Sequence, residues 1–476
     1  MDQFAPRSVT EMPRLLSVED AKRLPPDRVI DLFTRHLNPG QMHFMRLLGF
    51  HRVIVDRAEG MYYFTRDGRK VLDFFGGFGS VGLGHNHPRV LAARQRFQQE
   101  MRHEIAMAFP SQYATALAYN LAEIAPGDLD IVFFGSSGTE VMEAAVKIAE
   151  KAQGPRRNKV VYAENSFHGK SKGALSITDG TLYRSEFVLV ENAVRVPFGD
   201  IGAIERVLDA DPSIGTVVFE TIQGGGGIVN APLQFWQDLR ALCDARSVLW
   251  VADEVQCGFG RTGRFYAFEH AGVSPDVVAI AKSLGGGKCA MGAMIARHSV
   301  FMRAYGSTKT ALIHGPATFS GIGEACCTAI EAINVLYEER LMENAWVQGN
   351  YLLAQLEALR QKHDLLIKDV RGSGLMVGLE LADVSHTLPV GLRQVAATFD
   401  ERLKGSLAAL LGALLLQKHD ALVGFTEYNR NVIRLEPPLI CQREHIDLLI
   451  EAIDDVLSQG IIGIVSEYAR FVRFRS

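Results

Sequence analysis

Polar side chains follow several short apolar runs of the sequence. The runs are continuously apolar rather than alternating, which indicates strands covered on both faces, as in a mostly parallel sheet between helices. Because such sheets bind ligands outside the carboxyl ends of their strands, we expect the residues that follow the runs to share one rim. They are Ser137, Gly138, Thr139 and Glu140 after run 130–134; Phe167 and His168 after 159–163; Glu220 ending 216–220; Asp253 ending 248–253; and Lys282 after 276–281.

Taken singly, each of these residues has an ordinary structural interpretation. Ser137 and Glu140 have the spacing of a capping box, and a lone lysine is usually a surface residue. Together, a lysine, a carboxylate, an aromatic ring and a helix N-terminus are the groups that pyridoxal 5′-phosphate (PLP) requires. Lys282 would form a Schiff base with the aldehyde, and Asp253 would keep the pyridine nitrogen protonated. The helix N-terminus at Ser137 would bind the phosphate.

The segments around these residues resemble the class III aminotransferases, the ornithine, 4-aminobutyrate and putrescine type of PLP fold type I. The resemblance covers about residues 45–460 and rests on seven motifs. They are SSGTEVMEAAVKIAE, SFHGKSKGALSIT, VADEVQCGFGRTGRF, PDVVAIAKSLGGG, IHGPATFSG, GLGHNHP and NVIRLEPPL.

The resemblance implies a role for individual residues. Lys282 would be the Schiff-base lysine, and Asp253 would lie at the pyridine nitrogen. Thr318 would reach the phosphate of the neighbouring subunit, which implies a homodimer with two shared sites. Arg434 would clamp a substrate α-carboxylate through two parallel hydrogen bonds. The other implied cofactor contacts are Ser137, Gly138 and Thr139 at the phosphate, Phe167 over the ring, Val255 beneath it, Gln256 near the phenolic oxygen, and His168 and Glu220.

The chain departs from the family pattern in the glycine run Gly224–Gly227. Relatives carry a glutamate where this chain has Gly225, and the resemblance implies that this acid pairs with Arg434 when the amino donor has no α-carboxylate there. An unpaired guanidinium in a partly dry site is costly, so we expect compensation. Either Arg434 moves, or Glu436 or Glu427 takes over. The alternative is that Gly225 merely widens the pocket for a bulkier amine.

Phe78 falls where ornithine-using relatives place a tyrosine that contacts substrate. An apolar ring there suits a less polar amine or aldehyde. The equally open structural interpretation is a core aromatic under the glycine turn.

The resemblance implies a ping-pong aminotransferase that acts through Lys282. Its partners would be an amino acid, glutamate or alanine with the matching keto acid, and an ω-amine, ω-aldehyde or ketone. Two other reactions use the same fold and stay open: a glutamate-semialdehyde-type aminomutase and a dialkylglycine decarboxylase. A non-enzymatic binding role is a third possibility, against which Lys282 and Asp253 argue.

The order of elements predicts an α/β fold of PLP fold type I. Its large domain would have a mostly parallel central sheet covered by helices, with helical patterns at 138–152 and 233–247 between strands. A smaller α/β domain would form from both termini. The predicted divisions are 1–104 for the N-terminal segment and first part of the small domain, 105–345 for the large PLP-binding domain and 346–476 for the C-terminal small domain.

Composition narrows the function classes. The 476 residues are 47% hydrophobic with net charge −4, so no basic surplus favours a nucleic-acid partner. The longest apolar run, 407–416, is shorter than the ~20 residues of a membrane span and predicts a buried helix rather than a membrane segment. The six cysteines show no metal-ligand spacing, and no signal peptide is visible, which together predict a cytoplasmic protein without a metal site.

Overall fold

The structure is a computed structural model that describes residues 15–105, 109–311, 313, 317–383 and 407–473. Its helices are α1 (Val18–Arg23), α2 (Pro26–His36), α3 (Pro39–Leu47), α4 (Gly76–Gly79), α5 (Pro88–Gln99), α6 (Gln112–Ile124), α7 (Gly138–Gln153), α8 (Lys172–Ser176), α9 (Thr181–Arg184), α10 (Ile201–Ala210), α11 (Leu233–Arg246), α12 (His298–Tyr305), α13 (Gly323–Glu338), α14 (Leu341–Lys362), α15 (Leu407–His419), α16 (Arg443–Leu457) and α17 (Gly460–Arg473). Short 3₁₀ helices lie at Phe50–Arg52, Ala267–Ala271 and Lys282–Gly285.

The strands form separate sheets within these ranges. They are β1 (Val55–Glu59), β2 (Tyr62–Thr65), β3 (Lys70–Asp73), β4 (Leu129–Gly135), β5 (Lys159–Ala163), β6 (Ala193–Val196), β7 (Ile214–Glu220), β8 (Ile222–Gln223), β9 (Val229–Asn230), β10 (Leu249–Asp253), β11 (Val277–Ile280), β12 (Gly292–Arg297), β13 (Ile367–Ser373), β14 (Met376–Leu381), β15 (Ala421–Leu422), β16 (Gly424–Phe425) and β17 (Val432–Leu435).

The central sheet has seven strands in the order β4-β12-β11-β10-β7-β5-β6. Strand β10 runs parallel to β7 and β11, and β5 runs parallel to β6 and β7. Only β12 is reversed in this sheet, since it pairs antiparallel with β4 and β11. The predicted mostly parallel sheet is confirmed. The apolar runs 130–134, 159–163, 216–220, 248–253 and 276–281, together with the similar run GAMIA at 292–296, correspond to β4, β5, β7, β10, β11 and β12. The edge strand β6 was not predicted; its short run, AVRV, includes an exposed arginine.

Helix layers cover both faces of this sheet. Successive side chains of each strand point to opposite faces, so a continuously apolar strand has apolar side chains to bury on both. On β10, Trp250 faces the cluster that contains α11, where it stacks on Trp236 with ring centroids 5.6 Å apart. Its neighbour Val251 faces the other cluster, which contains Val141 and Ile148 of α7. The predicted helices within 138–152 and 233–247 are confirmed as α7 and α11.

The two ends of the described chain meet in smaller sheets. The sheet β1-β2-β3-β15 joins the N-terminal hairpin to β15 through a parallel pairing of β3 with β15. A second sheet has the order β13-β14-β17-β16. The division at 1–104, 105–345 and 346–476 stays a prediction, and residues 1–14 and 384–406 lie outside the described ranges.

The apolar run 407–416 forms the buried first part of α15, as predicted. This helix packs against α16 and α17. Across the described residues, no helix combines the length and apolar character that crossing a membrane requires.

Leu411 and Leu448 provide a matched test of this packing. Leu411 in α15 is 0% exposed, whereas Leu448 in α16 is 52% exposed. We expect Leu411→Ala to lower the free energy of unfolding by about 2–5 kcal/mol, because it leaves a cavity in a dense core. Leu448→Ala should change it by about 0.5 kcal/mol or less. Denaturant unfolding of both variants measures this, and equal losses would contradict the packing described here.

Candidate active site

Lys282 follows the end of β11 and begins a short 3₁₀ helix with φ of +48°. A lysine in this left-handed conformation is unusual, and such strain is concentrated at functional sites. Burial of the ammonium group is the main cause that lowers the pKa of Lys282. The carboxylates of Glu436, Glu427 and Asp253 oppose the shift. The Arg434 guanidinium adds to it, and a larger share of the amine is therefore neutral and nucleophilic.

Asp253 ends the neighbouring strand β10 and is buried with a fixed orientation. One oxygen, Oδ2, lies 2.7 Å from His168 Nδ1, and the other, Oδ1, accepts the Val255 N–H at 3.0 Å. The second ring nitrogen of His168, Nε2, is buried without a hydrogen-bond partner among the described residues. The hydrogen bonds with His168 and Val255 therefore hold the Asp253 carboxylate in one orientation at the rim of the sheet.

Glu220 ends β7 directly beside Asp253, with which it is in register. Its Oε2 accepts the Phe167 N–H at 2.9 Å and its Oε1 accepts the Gly224 N–H at 3.3 Å. Burial, with the Asp253 charge adding to it, raises the pKa of Glu220 well above its usual value. Glu220 thus anchors the Phe167 loop and the start of the glycine run to the sheet.

The N-terminus of α7 opens on the same rim. Ser137 caps it, since its hydroxyl accepts the Glu140 N–H at 3.3 Å. A Cβ at Gly138 would lie 2.8 Å from Val255 Cγ1, so only glycine fits between the helix start and this valine. The Thr139 hydroxyl lies 2.8 Å from Ser171 Oγ. Backbone N–H groups at such a helix start favour a phosphate.

Arg434 on β17 is 2% exposed and lies between two carboxylates. Its Nη1 is 3.7 Å from Glu427 Oε2, and its Nε is 3.4 Å from Glu436 Oε2. Both oxygens of Glu436 accept hydrogen bonds from Gln256 Nε2, at 3.0 and 2.8 Å. The guanidinium also lies over the ring of Phe78, 4.7 Å from its centroid. The expected compensation for the missing acid is therefore present in the form of nearby carboxylates.

The glycine run packs closely against the side chains of this cluster. A Cβ at Gly224 would lie 2.0 Å from Gln256 Oε1. A Cβ at Gly225 would lie 3.2 Å from Glu427 Oε2 and 3.4 Å from Tyr428 Cε2. The space that Gly225 leaves is thus already occupied, which argues against the alternative that it simply widens the pocket.

Phe78 and Thr318 are predicted site residues that are more exposed than the buried residues at the rim. Phe78 adopts φ of +59° in the turn α4 and packs edge-on against Phe75, with centroids 4.6 Å apart. Phe78 is 45% exposed, which argues against the alternative that it is a core aromatic under the glycine turn. Thr318 lies in an exposed turn of residues 317–320.

Sequence reasoning missed an aromatic wall beside Phe167. The ring of Tyr183 lies 6.1 Å from Phe167 and 6.2 Å from Tyr428, centroid to centroid. The Tyr428 hydroxyl donates to the carbonyl oxygens of Ser166 and Asp179. The sequence signal was weak, because Tyr428 is 261 positions from Phe167 and lies on no predicted strand or helix.

The family model described as "Aminotransferase class-III" matches residues 48–457. The chain belongs to the class III aminotransferases. It is 33% identical over 442 residues to the putrescine aminotransferase of Pectobacterium atrosepticum, with 90% of this chain and 88% of that protein covered. The predicted family and aminotransferase activity are thereby confirmed.

Solved structures agree with this assignment. The ornithine aminotransferase of Toxoplasma gondii ME49 matches with a TM-score of 0.79 over 93% of this chain and 99% of that one, and its 24% identity shows the fold alone. A thermostable (S)-enantioselective ω-transaminase from Thermomicrobium roseum matches with a TM-score of 0.80 and 26% identity, over 92% and 99%. The family uses PLP, and the predicted PLP fold type I is confirmed.

The residues of the site fit PLP. Three groups meet at one end of the sheet. They are the Lys282 amine with its lowered pKa, the Asp253 carboxylate held by His168, and the N-terminus of α7, where Gly138 lies close against Val255. PLP needs these three groups: an amine for its aldehyde, a carboxylate for its protonated ring nitrogen and free backbone N–H groups for its phosphate. The roles of the individual contact residues remain expectations taken from the resemblance.

The charge of Glu436 provides a test of the electrostatics around Lys282. Among the neighbouring carboxylates, Glu436 has the largest effect in stabilising the ammonium. We expect Glu436→Gln to lower the pKa of Lys282 further, because the carboxylate that most favours the ammonium is removed. Reductive methylation of the apoprotein across pH, read at Lys282 by mass spectrometry, measures the midpoint. Glu451→Gln, at an exposed position of α16, is the control, and an unchanged or raised midpoint for Glu436→Gln would contradict the assignment.

Proposed function

We propose that this aminotransferase moves an amino group between an ω-amine and the keto acid of glutamate or alanine. The observation that supports the proposal is the charge cluster beside Lys282. Arg434 offers a guanidinium for a substrate carboxylate, while Glu427 and Glu436 already balance its charge when the substrate has none. The similarity to a putrescine aminotransferase adds support for an ω-amine.

When bound, PLP supplies an aldehyde and a protonated ring that takes up the electron pair left on the substrate carbon. Lys282 is the amine that would hold the cofactor covalently. When it is not bound to the cofactor, Lys282 Nζ would be free to accept and return a proton as the general base of the site. Asp253 would keep the ring nitrogen protonated, and the hydrogen bonds that Asp253 makes with His168 and the Val255 N–H hold its carboxylate in place.

The other rim residues would bind and orient. Ser137, Gly138 and Thr139 would hold the phosphate at the start of α7. Phe167 and Val255 would cover the two faces of the ring, and Phe78 would line the substrate end beside Arg434. Residues Gln256, Glu220 and Gly225 would act through the contacts described above. The aminomutase and decarboxylase alternatives are not favoured, since the family model and the curated relative are aminotransferases.

We further propose a homodimer in which Thr318 reaches the phosphate of the other subunit. Its exposure in this single chain is compatible with a contact across an interface. A cytoplasmic location is part of the same proposal, and the six free cysteines are compatible with a reducing compartment.

A half-reaction panel tests the proposed function. The holoenzyme is mixed with putrescine, ornithine, 4-aminobutyrate, glutamate and alanine, each without acceptor, and conversion to the pyridoxamine form is followed by absorbance. We expect conversion by an ω-amine and by glutamate or alanine. Lys282→Ala should slow it by at least about 10²-fold, whereas Lys151→Ala, at an exposed position of α7, should not. Conversion by no ω-amine, or carbon dioxide release from the donor, would overturn the proposal.

Hybrid dimers test the role of Thr318. Thr318→Asp places a negative charge where the phosphate would bind, and Lys282→Ala removes the amine, so each variant alone should be nearly inactive. Co-expression should recover about a quarter of wild-type activity, because half of the dimers would then hold one intact site. Co-expression of Lys282→Ala with Asp253→Ala is the control and should recover none. An equal absence of recovery for the Thr318→Asp pair would show that Thr318 does not act across the interface.

A further inference from the structure

The two carboxylates beside Arg434 are held very differently. Glu436 is fully buried directly after β17. Its N–H donates to the Phe74 carbonyl at 2.9 Å, and both of its carboxylate oxygens accept from Gln256. Moving Glu436 would break these side-chain bonds and leave the half-buried amide group of Gln256 without its acceptor. Glu436 is therefore a fixed partner of Arg434.

Glu427 lies on the loop between β16 and β17 and keeps 19% of its side chain exposed. Its Oε2 is buried without a hydrogen-bond partner among the described residues, 3.7 Å from Arg434 Nη1. Arg434 Nε and Nη2 also lack hydrogen-bond partners there. The Glu427–Arg434 pair is thus held by charge without a direct hydrogen bond, so another anion can replace Glu427 with little loss.

Gly225 shows why the acid is on this loop. The carbonyl of Gly225 accepts the N–H groups of Glu427 and Tyr428, at 3.2 and 3.1 Å, so the two loops are joined. A side chain at position 225 would begin 3.2 Å from Glu427 Oε2. The backbone there is not in the left-handed region, so conformation alone does not demand glycine. What demands it is the room that Glu427 and its neighbours take.

We propose that Glu427 is the displaceable acid that sets the dual specificity of this site. It covers Arg434 while an ω-amine without a nearby carboxylate is bound, and it moves aside when a substrate carboxylate binds Arg434. Glu436 stays in place in both cases. The exchange replaces one anion by another, so the charge next to Lys282 hardly changes. This inference rests on the proposed transfer between an ω-amine and a keto acid.

Glu427→Gln tests the proposal through a split between substrates. We expect kcat/KM for the putrescine half-reaction to fall about tenfold or more, because Arg434 is then left with only one carboxylate. The value for glutamate should stay the same or rise, since no acid on the loop competes with the substrate carboxylate. Glu451→Gln is the matched control and should leave both values unchanged. Equal losses for both substrates, or no change in either, would overturn the role of Glu427.

Equilibrium binding gives a second readout that does not depend on turnover. Glutarate, which has carboxylates but no amino or keto group, is titrated calorimetrically into the holoenzyme. It should bind Glu427→Gln about tenfold more tightly than wild type, because it no longer displaces an acid. Unchanged affinity would contradict displacement. If no ω-amine reacts with the wild type, the proposed function fails, while this titration still decides whether Glu427 competes for Arg434.

Relocating the acid completes the test. The double variant Gly225→Glu with Glu427→Gly moves the carboxylate from one joined loop to the other. We expect it to regain at least part of the putrescine-to-glutamate ratio that Glu427→Gln loses. A substrate split in Glu436→Gln but not in Glu427→Gln would instead identify Glu436 as the moving acid and overturn the proposal.

Discussion

The charge balance around Lys282 is the constraint on which the rest of the site depends. The amine must be neutral to react, and enclosure at the end of β11 favours that state. The Arg434 guanidinium on β17 also favours the neutral amine, whereas the neighbouring carboxylates of Glu427 and Glu436 favour the ammonium. The central sheet and the C-terminal sheet must therefore be held in a fixed relation. Ser283 Oγ donates to the Gly79 carbonyl at 2.7 Å, and the Leu439 N–H donates to Gly82 at 2.7 Å, which ties the lysine turn and the segment after β17 to one glycine-rich turn.

Much of the fold followed from local sequence patterns. Continuous apolar runs predicted the central strands because a strand covered on both faces leaves no position for a polar side chain. Asp253 and Lys282 could be placed at one rim because parallel strands end on the same side of a sheet. The edge strand β6 was not predicted in this way. It pairs with β5 alone, and its sequence includes the exposed Arg195.

The substrate end of the site could be anticipated only in part. The resemblance implied that an acid is missing at Gly225. It left open whether Arg434 moves or whether Glu427 or Glu436 takes over, and it could not rank these alternatives. The ranking depends on Gln256, which is 180 positions from Glu436 and donates to both of its oxygens. Contacts between residues so distant in sequence follow from the way β10 and β17 are brought together, and no local pattern encodes them.

The resemblance places the phosphate at the α7 N-terminus rather than at the glycine run, and the contacts of the run indicate what it does instead. A run of four glycines suggests a loop that approaches a phosphate, yet Gly224 makes room for the Gln256 amide and Gly225 for the Glu427 carboxylate. The α7 N-terminus already offers the donors that a phosphate needs. The glycines therefore serve the charge cluster at the substrate end. An acid lost from one loop can be replaced from another where the two loops share backbone hydrogen bonds, because those bonds fix the position from which the new side chain starts.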